Sequence, residues 1–247
     1  MKTIIGGRYE FDMQTDVIGR GGMGTVYHGK DTQTGNIVAI KQLNHDMATD
    51  TFTSRFMREA AVMRRLSHPN ILTVHDAISD ANLGYFLVME YIGGGSLWDE
   101  LQAYPQLPIP RILTLAQDLV SALMIVHQHD IIHRDIKPAN VLIADDGTPR
   151  LTDFGATFIA DKTRLTETGG LIGTLDYLAP ELFTSEVITV QADIWALGVM
   201  LYEMIGGVRP FAGDSLGTIL TNILTKAPPN LADLRPDAPQ NLIRLVE

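Results

Sequence analysis

Apolar residues change their spacing part-way along this chain. Up to about residue 90 they fall in short runs broken by glycine and polar residues. Val17-Ile18 and Thr25-Val26-Tyr27 flank a glycine cluster, and Ile37-Val38-Ala39-Ile40 follows the turn signal Thr34-Gly35-Asn36. Runs of that length between such punctuation predict strands. One helical pattern interrupts them, from about Thr53 to Leu66, and Ser67-His68-Pro69 ends it, because the residue before a proline is driven out of the α region. Two more strand-like runs cover 71–78 and 84–91. After Gly93-Gly94-Gly95 the period becomes helical. Ile112, Leu115, Ala116, Leu119, Ala122, Leu123 and Val126 form one buried stripe, with Pro110 near its first turn. Further helices are predicted over 190–205 and 215–225. A β-rich part joined through glycines to an α-rich part is an α+β, two-lobed plan.

Composition narrows the function classes. A chain of 247 residues suits one large domain or two lobes, and 45% hydrophobic residues are ample for a core. Nineteen basic against 29 acidic residues give a net charge of −10, which argues against a general nucleic-acid binder or a membrane-surface protein. The absence of cysteine excludes disulfides, thiolate nucleophiles and Cys-ligated zinc, and a cytoplasmic location is expected. The start MKTIIGGRYEF has too short an apolar run for a signal peptide. No window reaches roughly 18 uncharged apolar residues: 112–126 is broken by Gln117 and Asp118, and 194–205 by Glu203. No membrane segment is expected within these residues, and segments beyond 247 are left open.

Three stretches carry candidate chemistry. IGRGGMGTVY places Gly19, Gly21 and Gly24 at GxGxxG spacing. A dinucleotide fold needs a helix next, and the strand former Thr25-Val26-Tyr27 follows instead. A phosphate-loop reading at Gly24 to Gly29-Lys30 fails on Asp31, where Ser or Thr is required. What remains is a strand–glycines–strand flap that lays backbone N–H groups over phosphates. Lys41 alone reads as an edge lysine and Glu59 as a solvated helix acid. Together they suggest a strand lysine held for phosphate by a helix carboxylate. The third stretch, IIHRDIKPANVLI, sets six polar or special side chains between two apolar runs, as a working loop on a rigid frame does. Val141-Leu142-Ile143 and Arg150-Leu151-Thr152, turned by Asp145-Asp146-Gly147, predict a hairpin that returns Asp153 beside Asn140. An amide and a carboxylate meeting there offer hard oxygens to Mg²⁺.

The combination resembles the eukaryotic-type (Hanks-type) protein kinases. G-x-G-x-x-G-x-V stands at 19–26, V-A-I-K at 38–41, H-R-D-x-K-x-x-N at 133–140, D-F-G at 153–155 and A-P-E at 179–181. GRGGMGTVY and IGTLDYLAPE are most similar to bacterial Ser/Thr kinases. The resemblance implies an extension at 1–8 and a kinase domain over 9–247. Its small β-rich lobe with one key helix covers 9–90, its hinge 91–96, and its larger, mainly α-helical lobe 97–247. It implies ATP- and Mg²⁺-dependent (or Mn²⁺-dependent) transfer of the γ-phosphoryl to Ser/Thr hydroxyls of proteins, with a transient dimer of this chain as a further partner and no nucleic acid.

The family's roles carry over by position. Asp135 takes or orients the hydroxyl proton, and Lys137 neutralises the transferring phosphoryl. Asn140 and Asp153 hold the metal, and Lys41, held by Glu59, grips the α- and β-phosphates. Ile18, Gly19, Arg20, Gly21, Gly22, Met23 and Gly24 cover the nucleotide. Val26, Ala39, Met89 and Leu142 surround the base, and the Glu90–Ile92 backbone bonds its edge. Phe154, His133, Met63 and Val74 are candidates for an apolar column linking the lobes. Lys137 and Thr174 are of the Ser/Thr type. Thr166 and Thr168, with Thr163, stand where relatives are phosphorylated, and a phosphate there would dock on Arg134. Asp193 matches a helix aspartate that bonds the H-R-D backbone, with helix capping as the alternative. Leu175 departs from the usual proline. The chain stops at PQNLIRLVE inside a helical pattern, so the C-terminal lobe reads as truncated, and Glu181 is expected to lack an arginine partner.

Overall fold

Antiparallel pairing turns the apolar runs of the N-terminal part into one sheet. The computed structural model describes residues 2–22, 24–44, 50–154, 175–184 and 187–246, and it divides into the units Met1–Gly93 and Gly94–Glu247. The first contains β1 (Lys2–Ile5), β2 (Tyr9–Asp12), β3 (Val17–Gly21), β4 (Gly24–Asp31), β5 (Ile37–Leu43), α1 (Asp50–Met63), β6 (Val74–Asp80) and β7 (Gly84–Glu90). The strand order is β1-β2-β4-β5-β7-β6, with β3 on β4.

Side chains alternate across a strand, so register sorts them onto two faces. Tyr27 lies opposite Ile40, and Ile40 opposite Val88. These join Ile5, Tyr9, Phe11, Val38 and Phe86 in one cluster, each at most 5% exposed. Burial of each such side chain contributes about 2 kcal/mol of transfer free energy. The segment ahead of Tyr9 is part of this sheet, through β1 and through Arg8, whose Nε and Nη2 donate to Asp31 at 2.8 and 2.7 Å.

Boundaries shift from those predicted, for local reasons. The helix expected over 53–66 runs over Asp50–Met63, and its end tightens through Arg65 N–H to Val62 C=O and Leu66 N–H to Met63 C=O. The strand expected from 71 starts at Val74, because Ile71 N–H closes a turn onto His68 C=O at 3.1 Å.

The second unit is helical. It holds α2 (Leu97–Ala103), α3 (Ile109–Gln128), the hairpin β8 (Val141–Ile143) and β9 (Pro149–Leu151), α4 (Glu181–Thr184), α5 (Gln191–Gly206), α6 (Leu216–Thr225), α7 (Leu231–Leu234) and α8 (Gln240–Val246). Ser96 and Asp99 start α2 with a reciprocal capping box. The predicted stripe of α3 is buried at Ile112, Leu115, Leu119, Ala122, Leu123 and Val126, against α5 and β9. By length and composition α3, with a mean hydropathy of 1.6, is apolar enough to cross a membrane; those six side chains lie in the core of this unit. Arg111 fastens the site's frame, donating to both carboxylate oxygens of Glu100 at 3.0 Å and to Gly147 C=O in the hairpin turn at 2.8 Å.

Asp31 accepts from Arg8, the Thr34 hydroxyl and the Gln33 N–H, and the Arg8 guanidinium chiefly holds its carboxyl well below the usual carboxylate range. A depressed carboxyl stabilises the fold above its unfolded pKa of roughly 4 and loses that contribution as pH falls. Asp31→Asn therefore lowers the melting temperature at neutral pH, and the difference from wild type shrinks on acidification. A pH-independent difference in thermal melts would contradict this assignment.

Candidate active site

The glycine motif forms the predicted flap. Gly19 lies opposite Val26, Arg20 opposite Thr25 and Gly21 opposite Gly24, with a bulge between Val17 and Gly19; Met23 falls outside the described residues. The glycines differ in what they avoid. A Cβ on Gly24 would stand 1.9 Å from Gln42 O, so β5 itself demands glycine there. Around Gly19, Gly21 and Gly22 such an atom meets nothing within 4 Å. The fold does not require those three, and glycine at the tip leaves room for another molecule against the backbone. Ile18 and Arg20 are exposed beside them.

Register gathers the other N-terminal candidates. Val26 lies opposite Lys41, Lys41 opposite Leu87, and Ala39 opposite Met89, so Val26, Ala39, Lys41 and Met89 share the sheet face away from the aromatic cluster. Lys41 is 7% exposed on this face. Glu59 is half-buried in α1. At the end of β7, Glu90 N–H donates to Thr73 C=O at 2.9 Å and its carboxylate accepts Thr73 N–H at 2.7 Å. Ile92 makes no backbone hydrogen bond among the described residues.

In the second unit the polar loop is fixed from both sides. The buried Asp193 carboxylate accepts Arg134 N–H on Oδ1 at 2.7 Å, and His133 N–H and His127 Nε2 on Oδ2, each at 2.8 Å. Val190 occupies the N-cap of α5, so Asp193 bonds the loop rather than capping its helix. On the other side Thr152 N–H donates to Asn140 C=O at 2.9 Å, and Thr152 C=O lies 2.8 Å from His133 Nε2. Asp135 N–H approaches His133 Nδ1 at 3.3 Å, which makes Nδ1 the acceptor and Nε2 the protonated nitrogen. The next residue after Thr152 is Asp153, so these bonds fix the backbone that leads into Asp153 against Asn140. The hairpin pairs Val141 with Leu151, and half-buried Leu142 lies on its first strand.

Within the loop, Lys137 Nζ lies 2.8 Å from Asp135 Oδ2, with side chains 17% and 13% exposed. Asn140 Nδ2 donates to Asp135 O at 2.7 Å and to Asp135 Oδ2 at 2.8 Å. Two acceptors fix the amide orientation, and Asn140 Oδ1 accepts no hydrogen bond among the described residues. Arg134 and Asp153 adopt left-handed φ values of +66° and +61°, an arrangement costing roughly 1–3 kcal/mol each. Phe154 packs on His133 with ring centroids 4.6 Å apart. Gly155, Thr163, Thr166, Thr168 and Thr174 lie outside the described residues.

The match to the protein kinase domain family runs over residues 13–241. The chain belongs to the protein kinase family. It is similar to the serine/threonine-protein kinase PrkC of Bacillus subtilis, with 37% identity over 98% of this chain and 37% of that protein. It is also similar to the serine/threonine-protein kinase PknA of Mycobacterium tuberculosis, with 35% identity over 98% of this chain and 56% of that one. The chain thus spans about a third to a half of these relatives' length. Among solved structures, the crystal structure of Rad53 1-466 in complex with AMP-PNP superposes with a TM-score of 0.78 and 26% identity, over 96% of this chain and 59% of that chain.

Two tethers were not legible as site residues. His127 is a lone histidine near the end of α3, and Thr152 acts through its backbone alone, which leaves no signature in side-chain chemistry. Among the described residues no three His, Cys, Asp or Glu side chains converge as a metal cage. Asn140 Oδ1 accepts no hydrogen bond among the described residues, and one such oxygen with the Asp153 that the family pattern assigns beside it is a sparse set that fits a cation sharing its shell with water and phosphate.

The glycine geometry separates fold from function. Gly24→Ala is expected to destabilise by roughly 1–3 kcal/mol through overpacking on Gln42. Gly21→Ala keeps stability within about 0.5 kcal/mol of wild type while raising KM for ATP. Denaturant melts and ATP titrations check both, and a Gly21→Ala chain with unchanged KM counts against the flap.

Proposed function

We propose that this domain is an ATP- and Mg²⁺-dependent protein serine/threonine kinase. The observation that carries the reading is the Asp135–Lys137 pair, 2.8 Å apart on a loop tied at both ends. A carboxylate and an ammonium in one place serve opposite ends of one step. Asp135 accepts the proton leaving a Ser or Thr hydroxyl as that oxygen attacks the γ-phosphorus. Lys137 offsets the negative charge spreading over the phosphoryl oxygens. Such catalysis depends chiefly on positioning, and the tethers of the loop supply it.

The remaining residues take complementary parts. Bound Mg²⁺ supplies positive charge against the β- and γ-phosphate oxygens, and Asn140 Oδ1 and Asp153 would hold it. Lys41, steadied by Glu59, grips the α- and β-phosphates, beneath backbone N–H groups of residues 18–24. Val26, Ala39, Met89 and Leu142 surround the base, whose edge bonds Glu90 C=O and Ile92 N–H. The names of the bacterial relatives support Ser/Thr as the acceptor, as does Lys137 two residues after Asp135. Phosphorylation of Thr166 and Thr168, with Thr163 as a further acceptor, would activate the domain. A phosphothreonine adds about −1.5 to −2 charge and docks on Arg134, next to the catalytic carboxylate.

Incubation with γ-labelled ATP, Mg²⁺ and a protein acceptor tests the reaction. Label appears on Ser or Thr with the wild type, and Asp135→Asn lowers the rate at least about 100-fold. Transfer of equal rate by the variant excludes Asp135 from the chemistry, and label on Tyr alone excludes the acceptor class. For regulation, Thr166→Ala/Thr168→Ala slows phosphotransfer and removes the lag shortened by preincubation with ATP. A double variant as fast as wild type rules out activation at these residues.

A further inference from the structure

The hairpin of β3 and β4 turns at Gly22, where the pairing of Gly21 with Gly24 closes it. A Cβ on Gly21 or Gly22 would meet nothing within 4 Å, so the tip borders open space. Glycine has the widest backbone freedom of any residue, and ordering it costs correspondingly more. One side chain reaches this tip. Asn44 Nδ2 donates to Gly22 C=O at 2.8 Å. A carbonyl oxygen only accepts, so the NH₂ end of the amide is the end that faces Gly22.

Register explains how a residue so far along the chain arrives there. β4 pairs along β5 with Val26 opposite Lys41, Thr25 opposite Gln42 and Gly24 opposite Leu43. Asn44 directly follows that last pair, which sets its short amide level with the turn. Lys41 lies three residues earlier on the same strand, so β5 carries the lysine assigned to the phosphates and also ties the flap assigned to cover them. Asn44 and Gly22 are both exposed. An exposed hydrogen bond replaces one to water, and the fold gains little from it. Its effect falls on the tip: a bonded Gly22 carbonyl has one direction, and the freedom given up there is given up before a ligand arrives.

We propose that Asn44 is a positioning residue for the triphosphate, a latch whose bond to Gly22 holds the flap in the arrangement that receives the phosphates. The proposal rests on reading the site as one for ATP and adds a residue outside the glycine and lysine motifs. A larger fraction of chains ready to bind tightens the apparent affinity by that factor. The latch acts on the phosphates alone, because the base lies against Val26, Ala39 and Met89, whose strands are paired without it.

Calorimetric titration of the full chain with AMP-PNP and Mg²⁺, and separately with adenosine, tests this. Asn44→Leu keeps a side chain of similar shape and has no donor. It weakens AMP-PNP binding roughly three- to tenfold, the scale of one neutral hydrogen bond, and leaves adenosine binding and the melting temperature unchanged. Asn44→Ala repeats the loss, which separates it from any effect of the leucine itself, and Asn44→Gln, with the amide on a longer stem, recovers part of the affinity. In steady-state assays Asn44→Leu raises KM for ATP by the same factor at unchanged kcat. Equal AMP-PNP affinity in wild type and Asn44→Leu, equal weakening of AMP-PNP and adenosine, or a fall in kcat at unchanged KM overturns the proposal. Asn44-dependent binding of AMP-PNP by a chain that transfers no phosphoryl group supports the latch and counts against the kinase reading alone. A wild type that binds no AMP-PNP overturns the nucleotide site and the latch together.

Discussion

The buried carboxylate of Asp193 is the interaction on which the catalytic loop depends. An anion removed from water is tolerated only when donors surround it, and here the donors are two consecutive backbone N–H groups of the loop and the His127 ring. The need is mutual. The loop's amides have no strand or helix partner, and a buried N–H left alone costs about 1–3 kcal/mol. Asp193 lies in the first turn of α5, where the helix dipole also favours negative charge. The scaffold helix and the loop are therefore fixed by the same charge, and the left-handed conformation of Arg134 persists because both of its neighbours in the chain are held.

From that anchor, position passes along hydrogen bonds rather than along sequence. His133 carries its proton on Nε2 toward Thr152, and Thr152 bonds back to Asn140. Asn140 turns its amide donors toward Asp135, and its carbonyl oxygen accepts no hydrogen bond among the described residues. Each of these groups has an arrangement that satisfies its partners, so the Asp135 carboxylate, the Lys137 ammonium and the Asn140 amide are set before any substrate arrives. This is the preorganisation that electrostatic catalysis of phosphoryl transfer requires.

The first unit solves a different problem, presenting a nucleotide with a surface while burying a core in the same sheet. Alternation of side chains does both. Tyr27, Ile40 and Val88 fill one face, and Val26, Ala39, Lys41 and Met89 occupy the other. The flap glycines divide similarly: Gly24 is needed by the backbone of β5, whereas Gly19, Gly21 and Gly22 border open space.

Local chemistry made much of this legible in the sequence. Helical spacing located α3 and α5 to within a few residues, glycines and strand formers fixed the flap, and the turn Asp145-Asp146-Gly147 announced the hairpin that carries Asp153 to Asn140. Those features act over a handful of residues, where periodicity and backbone preference decide. Helix and strand ends were less legible, because tightened turns such as those at Met63 and Ile71 compete closely with continued structure. Other features lay beyond the sequence altogether. Thr152 works through its backbone, and Arg209 meets Asp176 across 33 residues, whereas the bond of Asp193 to a loop 60 residues away was implied by the family resemblance alone. Only tertiary packing excludes water from these groups, and burial is what converts weak polar contacts into obligatory ones.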